Sequence, residues 1–103
     1  MERKNKIQYL ELALSDLQDI VSYISQQLAA PQAALDLANK LDKAISNLEH
    51  FPFSGKSYSS DKRLKDEYRM LVVESYLVFY VVKNHTVEIR RIIYGKRKYD
   101  RLL

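Results

Sequence analysis

From Tyr68 onward the chain reads Tyr68-Arg-Met-Leu-Val-Val-Glu-Ser-Tyr-Leu-Val-Phe-Tyr-Val-Val-Lys-Asn-His-Thr-Val-Glu-Ile-Arg-Arg-Ile-Ile-Tyr-Gly-Lys-Arg97. Three runs crowded with Tyr, Val, Phe and Ile are separated only by Glu74-Ser75 and Lys83-Asn84-His85, which predicts an antiparallel three-stranded meander. Successive side chains of a strand point to opposite faces, so Arg69, Leu71 and Val73 share one face, as do Leu77, Phe79 and Val81 on the next strand. Apolar side chains therefore fall on both sides of the sheet. The second side needs a cover, supplied either by the chain's own end at residues 99–103 or by a partner protein.

The first half supplies the cover for the other side. Ile7-Gln-Tyr-Leu10 alternates and reads as a first short strand. Ala13, Leu17, Ile20, Val21, Ile24 and Leu28 recur at three and four, the stripe of an amphipathic helix. Pro31 suits the first turn of a second helix, where its missing N–H costs nothing, and Ala34, Ala38, Leu41, Ile45 and Leu48 form that helix's stripe. In Phe51-Pro-Phe-Ser-Gly55, Pro52 disfavours helix at Phe51, and Gly55 allows a turn with positive φ. Residues 56–67 are polar and read as a surface loop or a short helical turn. Packing the hairpin on the meander gives a two-layer α+β domain of order β-α-α-β-β-β.

A chain of 103 residues makes one domain, and 47% hydrophobic residues with two Gly and two Pro make it a folded one. No cysteine is present, which excludes disulfides and thiolate chemistry. The charged start, Met1-Glu-Arg-Lys-Asn-Lys6, leads into no apolar run, so neither a signal peptide nor a membrane span is expected and a cytoplasmic location is. The net charge of +4 is concentrated at one end: residues 83–103 hold seven Lys/Arg against Glu88 and Asp100. Such a balance favours an anionic partner, either nucleic acid or an acidic protein segment.

The chemical inventory is thin. His50 and His85 stand apart from any carboxylate motif, no Gly-rich phosphate loop exists, and no Ser-His-Asp spacing can be read. No cofactor and no metal are expected. What remains is basic: Arg69, Lys96, Arg97 and Lys98, with Tyr94 and Tyr99 nearby, form either a phosphate-binding site with a stacking or proton-shuttling tyrosine, or a solvated tail. Arg69 interrupts an apolar strand and Arg91 sits among Ile89, Ile92 and Ile93, so each is either functional or held in an ion pair. Glu88 and Arg90 share a face and are placed to pair with each other.

Asp16-Leu-Gln-Asp-Ile20, Tyr23, Gln32-Ala-Ala34, Leu41, Ala44-Ile45, Pro52, Gly55, Tyr68-Arg69, Val78-Phe-Tyr80 and Val87-Glu-Ile-Arg-Arg-Ile92, in that order, resemble the RelE/ParE superfamily of bacterial type II toxin–antitoxin toxins. The likeness covers nearly the whole chain. It implies a cytoplasmic toxin held inactive by a cognate antitoxin that wraps the exposed sheet and helical surfaces, with operator DNA reached only through the antitoxin and no membrane involved. RelE-like members cleave messenger RNA on the ribosome with sheet cations and a tyrosine near the end, and here Arg69, Arg97 and Tyr99 match such positions. Leu71 and Leu77, however, stand where two further cations are expected. Losing preorganised donors from a site that stabilises a pentavalent phosphate costs about 2.7–4 kcal/mol each, taking an oxyanion-hole donor as guide.

The long hairpin opened by Gln32-Ala-Ala34 resembles ParE, whose members inhibit DNA gyrase without being nucleases. The expectation is therefore a ParE-like gyrase inhibitor, with a ribosome-dependent endoribonuclease as the alternative and an inactive antitoxin-binding module as a third reading. The residues expected to meet antitoxin or target are Arg69, Leu71, Leu77, Phe79, Arg91, Lys96 and Arg97.

Overall fold

The computed structural model describes residues 4–58, 66–97 and 102–103. Strand β1 (Lys6–Tyr9) leads into helix α1 (Glu11–Ser22), a π-helical turn (Tyr23–Gln27), helix α2 (Pro31–Ser46) and a 3-10 turn (Asn47–Glu49). Strands β2 (Lys56–Tyr58), β3 (Tyr68–Val73), β4 (Tyr76–Lys83) and β5 (Thr86–Tyr94) follow. The sheet order is β1-β5-β4-β3-β2, antiparallel except that β1 runs parallel to β5. The expected α+β layering is present, with one strand more than expected.

That extra strand is β2, which corrects the reading of residues 56–58 as a loop or helical turn. Lys56, Ser57 and Tyr58 have no apolar alternation, and what makes them a strand is the hydrogen-bonding edge of β3, to which they pair opposite Met70, Arg69 and Tyr68. Pro31 does open α2 at its first turn. The helical stripe holds as far as Ile24, which packs on the helix-side core, but Leu28 is 56% exposed. The π-helical turn explains the difference: each such turn carries more residues than an α-turn, so the 3.6-residue spacing no longer returns position 28 to the buried face. Leu37, absent from the stripe read in sequence, is buried.

The core lies on both faces of the sheet. Ala13, Leu37, Leu41, Ile45 and Leu48 from the helices meet Val73, Val78, Tyr80, Val87, Ile89 and Ile92 on one side. On the other, Tyr68, Leu77, Phe79, Val81 and Ile93 are packed by Tyr58, Met70, Leu102 and Leu103. The chain's own end thus covers the second face, one of the two covers expected. A bulge assists: pairing jumps from Phe79 with Arg91 to Tyr80 with Ile89, leaving Arg90 as the extra residue. Because of it Ile89 and Ile92, three apart, both reach the helix-side core, which strict alternation forbids.

Both hairpin turns use left-handed backbone, at Glu74 (φ 54°) after β3 and at Asn84 and His85 (φ 49° and 62°) after β4. Gly55 does not. Neither glycine has positive φ, so the freedom that glycine allows at position 55 is not used. Its reason is space: a Cβ there would lie 2.6 Å from Tyr80 Oη and 2.9 Å from the Met70 carbonyl oxygen.

Candidate functional site

The sheet positions its arginines by pairing them. Arg69 donates from Nη1 to the carbonyls of Gly55 at 2.8 Å and Phe53 at 3.2 Å, and its guanidinium lies 4.9 Å from the Phe53 ring centre. Arg91 donates from Nε and Nη2 to the two oxygens of Asp16 at 2.8 and 2.9 Å, and from Nη1 to the Leu102 carbonyl at 2.9 Å. The Asp16 contact holds the Arg91 guanidinium firmly protonated, above its ordinary pKa. Asp16 also accepts the Ile92 N–H at 2.9 Å. Strand β1 covers β5 only as far as Ile89, so this carboxylate on α1 takes over the open edge where the strand partner stops.

Arg90 pairs with Glu88 at 2.7 Å and Asp66 at 3.2 Å, and Asp66 also meets Lys83 at 2.8 Å. Lys83, by its hydrogen bond to the carboxylate, holds Asp66 below its ordinary pKa. Of the two readings left open for Arg91, the structure shows the ion pair, and Glu88 and Arg90 do pair.

The residues expected to form one binding surface are not brought together. Leu77 is 8% exposed and Phe79 0%, buried beneath the chain's own leucines, which corrects the expectation that they line an exposed apolar face. Leu71 packs toward the helix-side core, on the opposite face from both. Arg69 pairs across from Tyr80 near the middle of β4, whereas Arg97 follows β5 near Tyr94 and Tyr76, the residue that opens β4. Tyr76 and Tyr80 are four residues apart along the strand, about 13 Å at 3.3 Å per residue. Lys96 and Arg97 are exposed. Tyr99 lies outside the described residues.

What the surface does present is a groove of about 630 Å³ lined by Asp16, Asp19, Ile20, Tyr23, Leu28, Tyr76, Ile92, Tyr94 and Arg97. The π-helical turn swings Tyr23 and Leu28 to its rim, and the cross-strand pair Tyr76 and Tyr94, ring centres 5.6 Å apart, forms its floor. Burial, then the neighbouring Tyr94 and Tyr23 phenols, pushes the Tyr76 hydroxyl up from its ordinary pKa, so it stays a neutral donor. Asp19 and Arg97 carry no side-chain hydrogen bond or ion pair among the described residues and offer both signs of charge to an occupant. The sequence signal for this groove was the tyrosines at 23 and 94, which no apolar stripe or strand face needed. Their convergence depends on sheet order, which sequence did not supply.

Among the described residues no group of three or more His, Asp or Glu could hold a metal, and no helix is long and apolar enough to cross a membrane.

A helical hairpin on one face of a mixed five-stranded sheet is the fold of the RelE/ParE-like toxins. Two solved structures share it. One, the chromosomal ParDE toxin–antitoxin system from P. aeruginosa, matches with a TM-score of 0.75 at 20% identity over 92% of this chain and 100% of that one. The other, the E. coli DinJ-YafQ toxin–antitoxin complex, matches with a TM-score of 0.57 at 15% identity over 97% and 98%. No curated protein matches the chain. The family model for the ParE toxin of the type II toxin–antitoxin system parDE matches residues 7–99, and the chain belongs to that family. It is a type II toxin of the ParE kind.

Proposed function

We propose that the chain, as one domain over residues 1–103, arrests growth in the cytoplasm by binding DNA gyrase, without catalysing a reaction itself, and that a cognate antitoxin neutralises it. The family supplies the class, and one observation carries the choice of target. The strand cations that a phosphodiester-cleaving site would need are spent on structure: Arg69 on two loop carbonyls, Arg91 on Asp16 and Leu102, Arg90 on Glu88 and Asp66. A catalytic cation has to meet charge that develops on the substrate in the transition state. A guanidinium already bonded to its own fold cannot do so without breaking the fold.

The antitoxin is assigned to the groove at Tyr23, Tyr76 and Tyr94. Its aromatic floor with Asp19 and Arg97 at the rim fits an amphipathic segment that inserts apolar anchors and pairs charges at its edges. Lys96 and Arg97 extend that surface. Operator DNA is reached only through the antitoxin.

The test is direct. Purified chain is expected to block gyrase supercoiling of relaxed plasmid, to leave ribosome-bound message intact, and to be relieved by its antitoxin. Tyr94→Ala is expected to weaken antitoxin binding while supercoiling inhibition persists. Codon-dependent cleavage of message, lost in Arg97→Ala with supercoiling unaffected, would establish the ribonuclease reading instead.

A further inference from the structure

Of the chain's three phenylalanines, Phe79 is fully buried, whereas Phe51 and Phe53 are 60% and 62% exposed. Both sit in the loop between the 3-10 turn and β2, and that loop is bound at every step. Phe51 N–H donates to the Asn47 carbonyl at 3.1 Å and Ser54 N–H to the Phe51 carbonyl at 3.2 Å. Gly55 N–H donates to the buried Tyr80 hydroxyl at 2.9 Å. Arg69 holds the Phe53 and Gly55 carbonyls from below and covers one face of the Phe53 ring. Pro52 restrains the backbone between the two rings.

A floppy loop that exposes an aromatic ring needs no explanation, but a loop pinned by five hydrogen bonds so that two rings stand in water does. Exposing large apolar side chains is unfavourable, and rigid aromatic groups presented at low entropy cost are what dominates binding energy at protein interfaces. The sequence around the rings adds a sign. Residues 50–58 contain Lys56 and no acid, Arg69 lies beneath, and the adjoining Glu49 is neutralised by Lys4 at 3.0 Å.

We propose that Phe51 and Phe53 form a two-pronged anchor by which this toxin docks into an apolar, acid-rimmed pocket on its protein target, at a site separate from the antitoxin groove. The proposal rests on the reading of the chain as a toxin that acts by protein contact. A nucleic-acid strand fits the loop less well. Stacking proteins surround their aromatics with cations free to meet phosphates, and here Arg69 is committed to carbonyls, which leaves Lys56 as the nearest unpaired one among the described residues.

The experiment compares wild type with the double variant Phe51→Ala, Phe53→Ala, both checked for folding by circular dichroism and thermal unfolding. Three readouts are taken: growth arrest on induction, affinity for the antitoxin, and binding of a fluorescent single-stranded oligonucleotide. The proposal expects growth arrest lost, antitoxin affinity within twofold of wild type, and no oligonucleotide binding that depends on the rings. Lys56→Glu should weaken arrest in the same direction. Full arrest by the folded double variant overturns the anchor. Loss of antitoxin affinity by tenfold or more assigns the loop to the antitoxin, and ring-dependent oligonucleotide binding assigns it to nucleic acid; either overturns it too. Failure of wild type to arrest growth would instead refute the toxin reading on which the anchor rests.

Discussion

Asp16 is the side chain whose removal should be felt most widely. It sits on α1 with 13% of its side chain exposed, facing Arg91 with 15%, and accepts three hydrogen bonds: two from the guanidinium and one from the Ile92 N–H. Replacing it by Ala removes one partner from a largely desolvated pair, a change that costs about 3–5 kcal/mol where burial is complete. Residual exposure and the Arg91 contact to Leu102 that survives reduce this, while the orphaned N–H on the β5 edge adds about 1–3 kcal/mol. The expected destabilisation is about 3–4 kcal/mol. At roughly 4–8 °C per kcal/mol for a domain near this size, that lowers Tm by about 12–32 °C.

Asp16→Asn retains an acceptor for the Ile92 N–H and loses the charge, so it should fall about midway. Urea unfolding of wild type, Asp16→Ala, Arg91→Ala and the double variant completes the cycle, and a coupling of at least about 1 kcal/mol is expected between the two sites. A coupling below about 0.3 kcal/mol, with the Ala variant within about half a kcal/mol of wild type, would refute the assignment of Asp16 as both ion-pair partner and edge cap.

Gly55→Ala drives a methyl group to 2.6 Å from Tyr80 Oη, so the phenol must move off its Gly55 hydrogen bond; a loss of about 2–4 kcal/mol by chemical denaturation is expected, whereas a neutral result would mean the loop is not anchored there. Leu41→Ala removes a side chain 1% exposed in the helix-side core and should cost about 2–5 kcal/mol, against about half a kcal/mol if the hairpin were not packed on the sheet. Burial raises the hydroxyl pKa of Tyr9, Tyr76 and Tyr80 above the ordinary phenol value, so the fold favours their neutral forms. Their contribution to stability is intact below pH 10 and lost as pH climbs through the raised folded values. Unfolding midpoints should therefore hold up to pH 9 and drop above 10, in step with phenolate absorbance; a flat profile through pH 11 would contradict it.

Local pattern carried far because most elements of this chain have a period. The three β-rich runs, the hairpin stripes and Pro31 at the start of α2 are local facts, and each became the expected element because one buried face must recur at 2 or 3.6 residues. Doubly apolar strands likewise announced that something covers the second sheet face, and Leu102 and Leu103 do. The pairing of Glu88 with Arg90 was legible for the same reason, since two residues apart on a strand is one face.

Everything that depended on a neighbour distant in sequence was decided only by the tertiary structure. Lys56, Ser57 and Tyr58 became a strand because β3 had an open edge, and Leu28 left its stripe because a π-helical turn changed the helical phase. Arg91 found Asp16 across 75 residues, and the bulge at Arg90 decided which neighbours reach the core. Sheet order fixed the rest. It put Arg69 beside the middle of β4 and Arg97 beyond its start, sank Phe79 beneath the chain's end, gathered three tyrosines into a groove and left Phe51 and Phe53 in water. A sequence specifies which side of its own element a residue faces, but what it faces is set by which elements pack there, and that is where the functional surfaces of this toxin are made.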